Sequence, residues 1–497
     1  MSVERFEKEP FTFDENRVRR LIDAAVVEAE ASGQSQAVVF RVDLESVHPI
    51  SAFKAMTNAD RFFWLQPERK VSLVAQGEVL GVETSGSDRF RQSESLIANA
   101  MKRVHCLDAR TRDAIRWLGG FSFADSLSGQ GEWSRFSAGR LSLPSLLFSS
   151  QGDEAHALVA QRLDVTSESD SVLSDLRHDI SEAVRLSCNN EVEGALAPSG
   201  FPELLTSESG PEYAVTSDRP HEVYCEQVAG AIEAIGLGEF EKVVMARSLE
   251  VRHPERYEII SFLQRLSSLY PSCTVMAIAR GEHTLVAASP EFLVSLDQGE
   301  VKAHALAGSA ARGSSPAQDE ALGLALMESK KEQNEHAAVV RAVKQSLFEV
   351  CGPLQGPEAP GLLKMEGIQH LSTPLRGQLR DAERTPSVLR LVELLHPTPA
   401  VCGLPRESAR TWLDKHEQLD RGWYAGPVGW VGPDGDGEFW VALRAGLIRQ
   451  SEDPHSDEPA LARLFAGAGI VQGSRPESEL AETRLKLRAL LAPLTEI

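Results

Sequence analysis

The sequence predicts an α+β protein, and three observations lead there. Strand-like and helical segments mix without the regular strand–helix alternation of a doubly wound sheet. Apolar residues make up 42% of the 497, enough for a large core, yet aromatics are only 6%, so aliphatic side chains must fill most of it. One long stretch rich in Pro, Ser, Gly and Glu, residues 189–219, reads as the main linker. It divides the chain into an N-terminal region, 1–219, and a C-terminal region, 220–497.

Taken in order, a polar leader precedes a helix over Val18–Ala31, and Ala37–Val42 reads as a strand. Phe62–Thr84 reads as hairpins through FFWLQP, VSLVAQG and VLGVET, and strand-like pieces recur at Gly119–Ala124 and Leu143–Ser149. Residues 151–175 hold ALVAQRLDV and then a Ser/Asp-rich stretch, SESDSVLSD. Beyond residue 220 the pattern sharpens. Glu222–Ile235 is amphipathic with helical period, and Gly236 and Gly238 end it. KVVMARSLEV and TVMAIARG read as strands, Ala321–Glu349 as one long helix, and Ser387–Leu395 as a helix stopped by His396-Pro397-Thr398-Pro399. The strands GPVGWVG, FWVALRAGLI and RLFAGAGIV follow. A last helix spans Glu477–Leu491, with Ser474 and Pro476 as start signals.

The formal net charge is −21, and no run of Lys and Arg offsets it locally, which argues against nucleic acid as a partner. An anionic substrate would have to be drawn in by local cations. Six cysteines are scattered, with no pair at metal-ligand spacing, and read as free thiols in a reducing compartment. The N-terminus MSVERFEKEP has no apolar signal-peptide core, and no stretch of about 18 apolar residues offers a membrane span. The expectation is a cytoplasmic protein with no membrane partner; monomer and weak dimer both stay open.

Two carboxylate pairs stand out. In MESKKEQNEH, Glu332 and Glu335 are three residues apart and share one helix face, with Glu328 a turn earlier. In PESELAETRLK, Glu479 and Glu482 repeat that spacing, and Lys486 follows Glu482 at four. Two such helices could converge on a hard divalent cation such as Mg²⁺, which prefers a few carboxylate oxygens and retained waters. Spacing alone is far more often a solvated helix face, about nine times in ten for any single pair, so the surrounding residues must decide.

Those residues are KVVMAR (Lys242–Arg247), SPEFL (Ser289–Leu293), ALAGSAARG (Ala305–Gly313), QHLSTPL (Gln369–Leu375), LHPTPAVCG (Leu395–Gly403), DRGWYAGPVGW (Asp420–Trp430), VALR (Val441–Arg444) and FAGAGIVQGSRPESELAETRLK (Phe465–Lys486). In that order, across about residues 220–493, they resemble the chorismate-utilising enzymes, which include isochorismate, salicylate, anthranilate and aminodeoxychorismate synthases. Lys242 sits where the water-adding members carry a lysine. Ala400 lies where anthranilate and salicylate synthases tend to have threonine, and Tyr424 fits the isochorismate synthase pattern. GGFSFAD, Trp133 and Leu143-Pro144 resemble the N-terminal part of the longer isochorismate synthases. The resemblance implies one fold built from both halves: two large antiparallel sheets packed face to face, with helices outside.

It also implies a chemistry, in which water adds at C2 of chorismate and the C4 hydroxyl leaves. That reaction needs a base and an acid. By resemblance Lys242 is the base. At a reference pKa of about 10.4 it would be protonated, so burial or nearby cationic charge must depress it. Glu291 is the matching acid and must hold its proton near neutrality. Mg²⁺ should bind the ring carboxylate, held directly by Glu335 and Glu482 and through water by Glu332 and Glu479. Arg444 and Lys486 resemble the cations that hold substrate carboxylates. Gly467 and Gly469 would let backbone N–H groups approach a carboxylate. Gly308 and Ser309 line the same pocket, and His370 touches the C4 side. Arg475 stands where Asp often precedes Pro476, and KKEQNEH opens more basically than the usual Lys-Asp variant, which leaves the water-mediated metal contacts less defined. The long N-terminal half points to menaquinone supply. Siderophore supply, salicylate synthesis and a chorismate-binding module without turnover are the rival readings.

Overall fold

Two sheets organise the chain. The computed structural model describes residues 14–495 apart from 189–212, 254, 366, 381–385, 452, 454–455 and 457. The larger sheet has thirteen strands. Its path runs Ala214–Ser217, Lys242–His253, Ala460–Val471, Ala445–Arg449, His283–Ser289, Thr274–Arg280, Asp60–Gln66, Val71–Gln76, Leu146–Gln151, Glu154–Leu163, Gln36–Leu44, Val104–Cys106. The short strand Gly403–Leu404 adds to Lys242 and Val243 off this path. All neighbours are antiparallel except the last pair. The smaller sheet has nine strands in the order Gly361–Lys364, Ile368–Gln378, Glu300–Ala311, Phe292–Asp297, Gly437–Val441, Pro427–Val431, Trp117–Phe121, Gly139–Leu143, Leu80–Thr84.

Side-chain alternation explains the layers. Phe62 and Trp64 face a core cluster shared with Phe121, Val294, Val428 and Phe439 of the smaller sheet. Phe63 faces the opposite way, into a second cluster with Val18, Leu176, Leu266 and Leu490, which come from four helices. Strands covered on both faces need no polar positions, which is why Thr274–Arg280 is buried at every residue and reads as a continuous apolar run. Both halves of the chain enter both sheets. Asp60–Gln66 pairs with Thr274–Arg280, and Trp117–Phe121 pairs with Pro427–Val431.

Several expectations are corrected, mostly where the chain changes sheet. FFWLQ and VSLVAQ do form a hairpin, but LGVET crosses to the smaller sheet and pairs with Gly139–Leu143. The single strand expected over Leu143–Ser149 is the end of one strand and most of another, in different sheets, separated at Pro144, which has no N–H to extend a ladder. The Ser/Asp-rich stretch opens a helix, Ser169–Ser187, whose buried Val172, Leu176, Ile180 and Ala183 recur at helical spacing. The long helix is two, Pro316–Glu328 and Lys330–Cys351, broken at Ser329, whose hydroxyl accepts from the Glu332 N–H. Glu328 therefore ends the first helix and does not share a continuous face with Glu332. FWVALRAGLI divides at Arg444, with φ 45, between a strand of each sheet. The linker's residues 189–212 and the leader's 1–13 lie outside the described residues; Ala214–Ser217 is an edge strand. Among the described residues no helix is long and apolar enough to cross a membrane. All six cysteines are free thiols.

Candidate active site

Strand ends and sheet crossings converge on one cavity of about 120 Å³. Lys242, the first residue of its strand, enters from the larger sheet, together with Gly467 and Gly469 of the neighbouring strand. Gly308, Ser309 and His370 enter from the smaller sheet. Glu291 and Arg444 sit where the chain crosses between sheets, and Ala400 and Tyr424 come from the two turns that follow His396-Pro397 and Asp420. Helix Lys330–Cys351 contributes Glu335, and helix Pro476–Thr495 contributes Glu482 and Lys486. Of the residues given a catalytic, substrate-binding or metal-binding role in the sequence, Glu332 and Glu479 alone do not line the cavity.

The Lys242 Nζ is buried and donates to Glu335 Oε1 at 2.7 Å. Burial would raise the Glu335 carboxyl, but the charge and hydrogen bond of Lys242 outweigh it and hold the group below its ordinary value. Gly469 makes room for this pair, since a Cβ there would lie 3.1 Å from Lys242 Cε and 3.6 Å from Glu335 Oε1. Lys486 Nζ lies 2.7 Å from Glu482 Oε1 and donates to the Gly467 carbonyl at 2.9 Å. Gly308 adopts φ 79 at a register shift between Ala307 and Ser309, and a Cβ there would crowd Glu332 Oε2 at 3.2 Å.

Glu291 is fully enclosed, and burial pushes its carboxyl up to about 7 against the lowering effect of Thr398, Lys242 and Lys486. Thr398 Oγ1 donates to Glu291 Oε1 at 3.1 Å. This contact escaped the sequence reading, although Thr398 stood inside the quoted HPTP run. His370 shares a hydrogen bond with Ser309 through Nδ1 at 2.8 Å, and burial beside Arg444 and Lys486 holds it well below its ordinary pKa, as a neutral imidazole. Burial raises the Tyr424 phenol, and its ring stacks on Phe465 with centroids 5.1 Å apart.

Two arginines line the cavity and differ in their engagement. Arg444 holds a left-handed backbone, lies over the Tyr270 ring at 5.2 Å and, among the described residues, makes one long hydrogen-bond contact, 3.8 Å, to Cys273 Sγ. Arg421, not singled out in the sequence, is buried and bound by Glu417 and two carbonyls.

Four carboxylates stand near one another at the ends of two helices. Burial raises Glu332 and Glu479, and the charges of Glu335 and Glu482 add to this. Hard oxygen donors whose charges are mutually felt are a chemically fitting set for a divalent cation. Among the described residues, no three such groups close on a single point; Glu335 and Glu482 each hold a lysine instead.

The chain matches the family model described as chorismate binding enzyme over residues 23–495. It is 32% identical over 484 residues to the salicylate biosynthesis isochorismate synthase of Pseudomonas aeruginosa, covering 97% of this chain and 94% of that one. It is 30% identical over 487 residues to the isochorismate synthase MenF of Bacillus subtilis, covering 96% and 97%. The solved structure of MenF, the menaquinone-specific isochorismate synthase of Escherichia coli, shares the fold with a TM-score of 0.72, at 23% identity, over 95% of this chain and 100% of that one. A cavity that gathers a lysine, a proton-holding glutamic acid and two carboxylate-bearing helices, in a chain matched along nearly its whole length, makes this protein a member of the chorismate-utilising enzymes.

Proposed function

We propose that this protein is an isochorismate synthase, converting chorismate to isochorismate with Mg²⁺. The observation that carries the reading is Glu291: a carboxyl fully enclosed beside Lys242's cavity wall, its proton held up to about 7. Near neutrality such a group can donate a proton to a departing hydroxyl. Thr398 orients it. Lys242 would take the proton of the attacking water, a role that requires its ion pair with Glu335 to be released first, and Arg444 and Lys486 would receive the substrate carboxylates. His370, being neutral and tied to Ser309, can share a hydrogen bond with a hydroxyl without adding charge.

Glu335 and Glu482 would hold Mg²⁺ directly, and Glu332 and Glu479 through water. The cation would supply positive charge to the ring carboxylate as the reaction proceeds. Ala400 leaves the wall smaller than threonine would. The product is taken to feed menaquinone, on the long N-terminal half; the Pseudomonas relative, an isochorismate synthase named for salicylate biosynthesis, supports salicylate as another fate of isochorismate, and a salicylate synthase that eliminates pyruvate itself is the second reading.

Purified protein given chorismate and Mg²⁺, analysed by chromatography, should yield isochorismate, and chelation by EDTA should stop turnover until Mg²⁺ is restored. Salicylate with pyruvate as the main products would replace the first reading by the second. Chorismate binding without turnover would leave only a binding module. Menaquinone content after gene deletion separates the two fates of the product.

A further inference from the structure

The strand that carries Lys242 is unevenly supported. Its inner edge pairs with Ala460–Val471 along its whole length. Its outer edge pairs with Gly403–Leu404 at Lys242 and Val243, and with Ala214–Ser217 from Leu249 to Arg252. Between those two short strands the outer edge has no strand neighbour among the described residues, yet its residues are buried and their backbone groups must be paired.

Side chains supply the pairing. The Arg421 Nη2 donates to the Val244 carbonyl at 2.7 Å, and the Ala246 N–H donates to Glu417 Oε2 at 2.8 Å. The Val244 N–H donates to the Cys402 carbonyl at 2.7 Å. Arg421 also donates through Nη1 to the Val401 carbonyl at 2.8 Å, beside Ala400. Glu417 and Arg421 join each other twice, Nε to Oε1 at 2.6 Å and Nη2 to Oε2 at 2.5 Å. Both residues are about 4% exposed, and the guanidinium lies over the Phe123 ring at 4.2 Å.

A planar fork with fixed donors suits this role, because one guanidinium can meet a carboxylate and two carbonyls at once. Four of its five N–H groups are used here, so little of it is left for a ligand, although it lines the cavity. Arg444, with one long hydrogen-bond contact among the described residues beside its stacking over Tyr270, is the opposite case.

We infer that Arg421 and Glu417 are positioning residues, a side-chain substitute for a strand neighbour that sets the Lys242 strand against the Ala400–Val401 turn. The inference rests on the isochorismate synthase reading for its catalytic part and on backbone geometry alone for its structural part. A charge pair that served only to stabilise would move Tm and leave the chemical step untouched.

The variants are Arg421→Lys, which keeps the charge and loses the fork, and Glu417→Gln, which keeps an acceptor and loses the charge. Each should lower kcat by roughly 100-fold, the scale of an ångström-size misplacement, with KM for chorismate changed less than about threefold. The double variant should cost little more than either single one. Amide hydrogen exchange, read on the whole protein without substrate, should quicken in peptides covering 242–248 and 400–403 and stay unchanged in Asp60–Gln66. Exchange that is unaltered in the first two segments overturns the inference, whatever the enzyme turns out to make. A raised KM with normal kcat overturns it too, since Arg421 would then be holding substrate. Lower Tm with normal kcat and KM likewise overturns it. If Arg421→Lys does not fold, Arg421→Ala with added ethylguanidinium takes its place, and failure to recover turnover counts against the role. Were the wild type to give no isochorismate, the exchange result would still stand alone as the test of the positioning claim.

Discussion

The enclosure of Glu291 should be measurable as a stability cost. Its carboxyl moves from an ordinary 4.5 to about 7 on folding, chiefly through burial. A folded pKa above the unfolded one means that this group's stabilising contribution is fully present below about pH 4.5. It is lost as pH rises through about 7. Each pH unit of separation is worth about 1.4 kcal/mol, so the full loss is about 3 kcal/mol, most of it between about pH 5 and about pH 8. Glu291→Gln keeps an oxygen for Thr398 and removes the titration. Urea unfolding of both proteins across this pH range cancels the other ionisations in the difference. The variant should gain on the wild type as pH rises, by about 2 to 3 kcal/mol at about pH 8, while losing nearly all turnover. Parallel stability curves for the two proteins would refute the claim that burial holds the Glu291 proton.

Three further outcomes follow from the same geometry. The alkaline limb of kcat/KM should fall near pH 7, and Thr398→Val, which removes a donor favouring the carboxylate, should move that limb up by about one pH unit; a limb that stays put in a pH-rate profile would separate Thr398 from Glu291. Gly469→Ala places a methyl 3.1 Å from Lys242 Cε and should cut kcat by about tenfold or more, with a stability loss of about 1–3 kcal/mol by thermal unfolding; normal kcat would show that Lys242 has slack. Gly422 has φ 50, and a Cβ there would overlap the Trp133 ring at 2.0 Å, so Gly422→Ala should cost roughly 3 kcal/mol, partly restored by Trp133→Ala in the double variant; full additivity would argue against the overlap as the cause.

Local pattern made much of this protein legible, and where it failed the cause was nonlocal at the sheet crossings and local composition elsewhere. The strand Thr274–Arg280 was readable because burial on both faces leaves a nearly continuous apolar run, and the Lys242 strand was readable through its buried Val243–Ala246 stretch. The crossings at Pro144 and Arg444 were not, because an apolar run continues across each while the chain changes sheet. Helix Ser169–Ser187 was missed because its polar face is rich in Ser and Asp, which mimics a loop, and only its apolar spacing marks it. The site was readable through motifs, not through periodicity: nothing in the spacing of Lys242, Glu291 and Arg444 predicts that they meet. Arg421 and Thr398 stood within quoted motifs, but their roles depend on which backbone groups and which carboxyl lack other neighbours, and that is decided by the sheets.

The strand order has a consequence for synthesis on the ribosome. The strands between residues 36 and 163 can assemble half of the larger sheet by themselves, ending at Asp60–Gln66, and part of the smaller one, ending at Trp117–Phe121. Their partners, Thr274–Arg280 and Pro427–Val431, are made much later. At translation rates of about 5–20 residues per second, both borders stay open for tens of seconds, each a row of unpaired N–H and C=O groups ready to join another chain. A nascent chain stopped before Thr274 should therefore need a holding chaperone to stay monomeric, and the released enzyme should not.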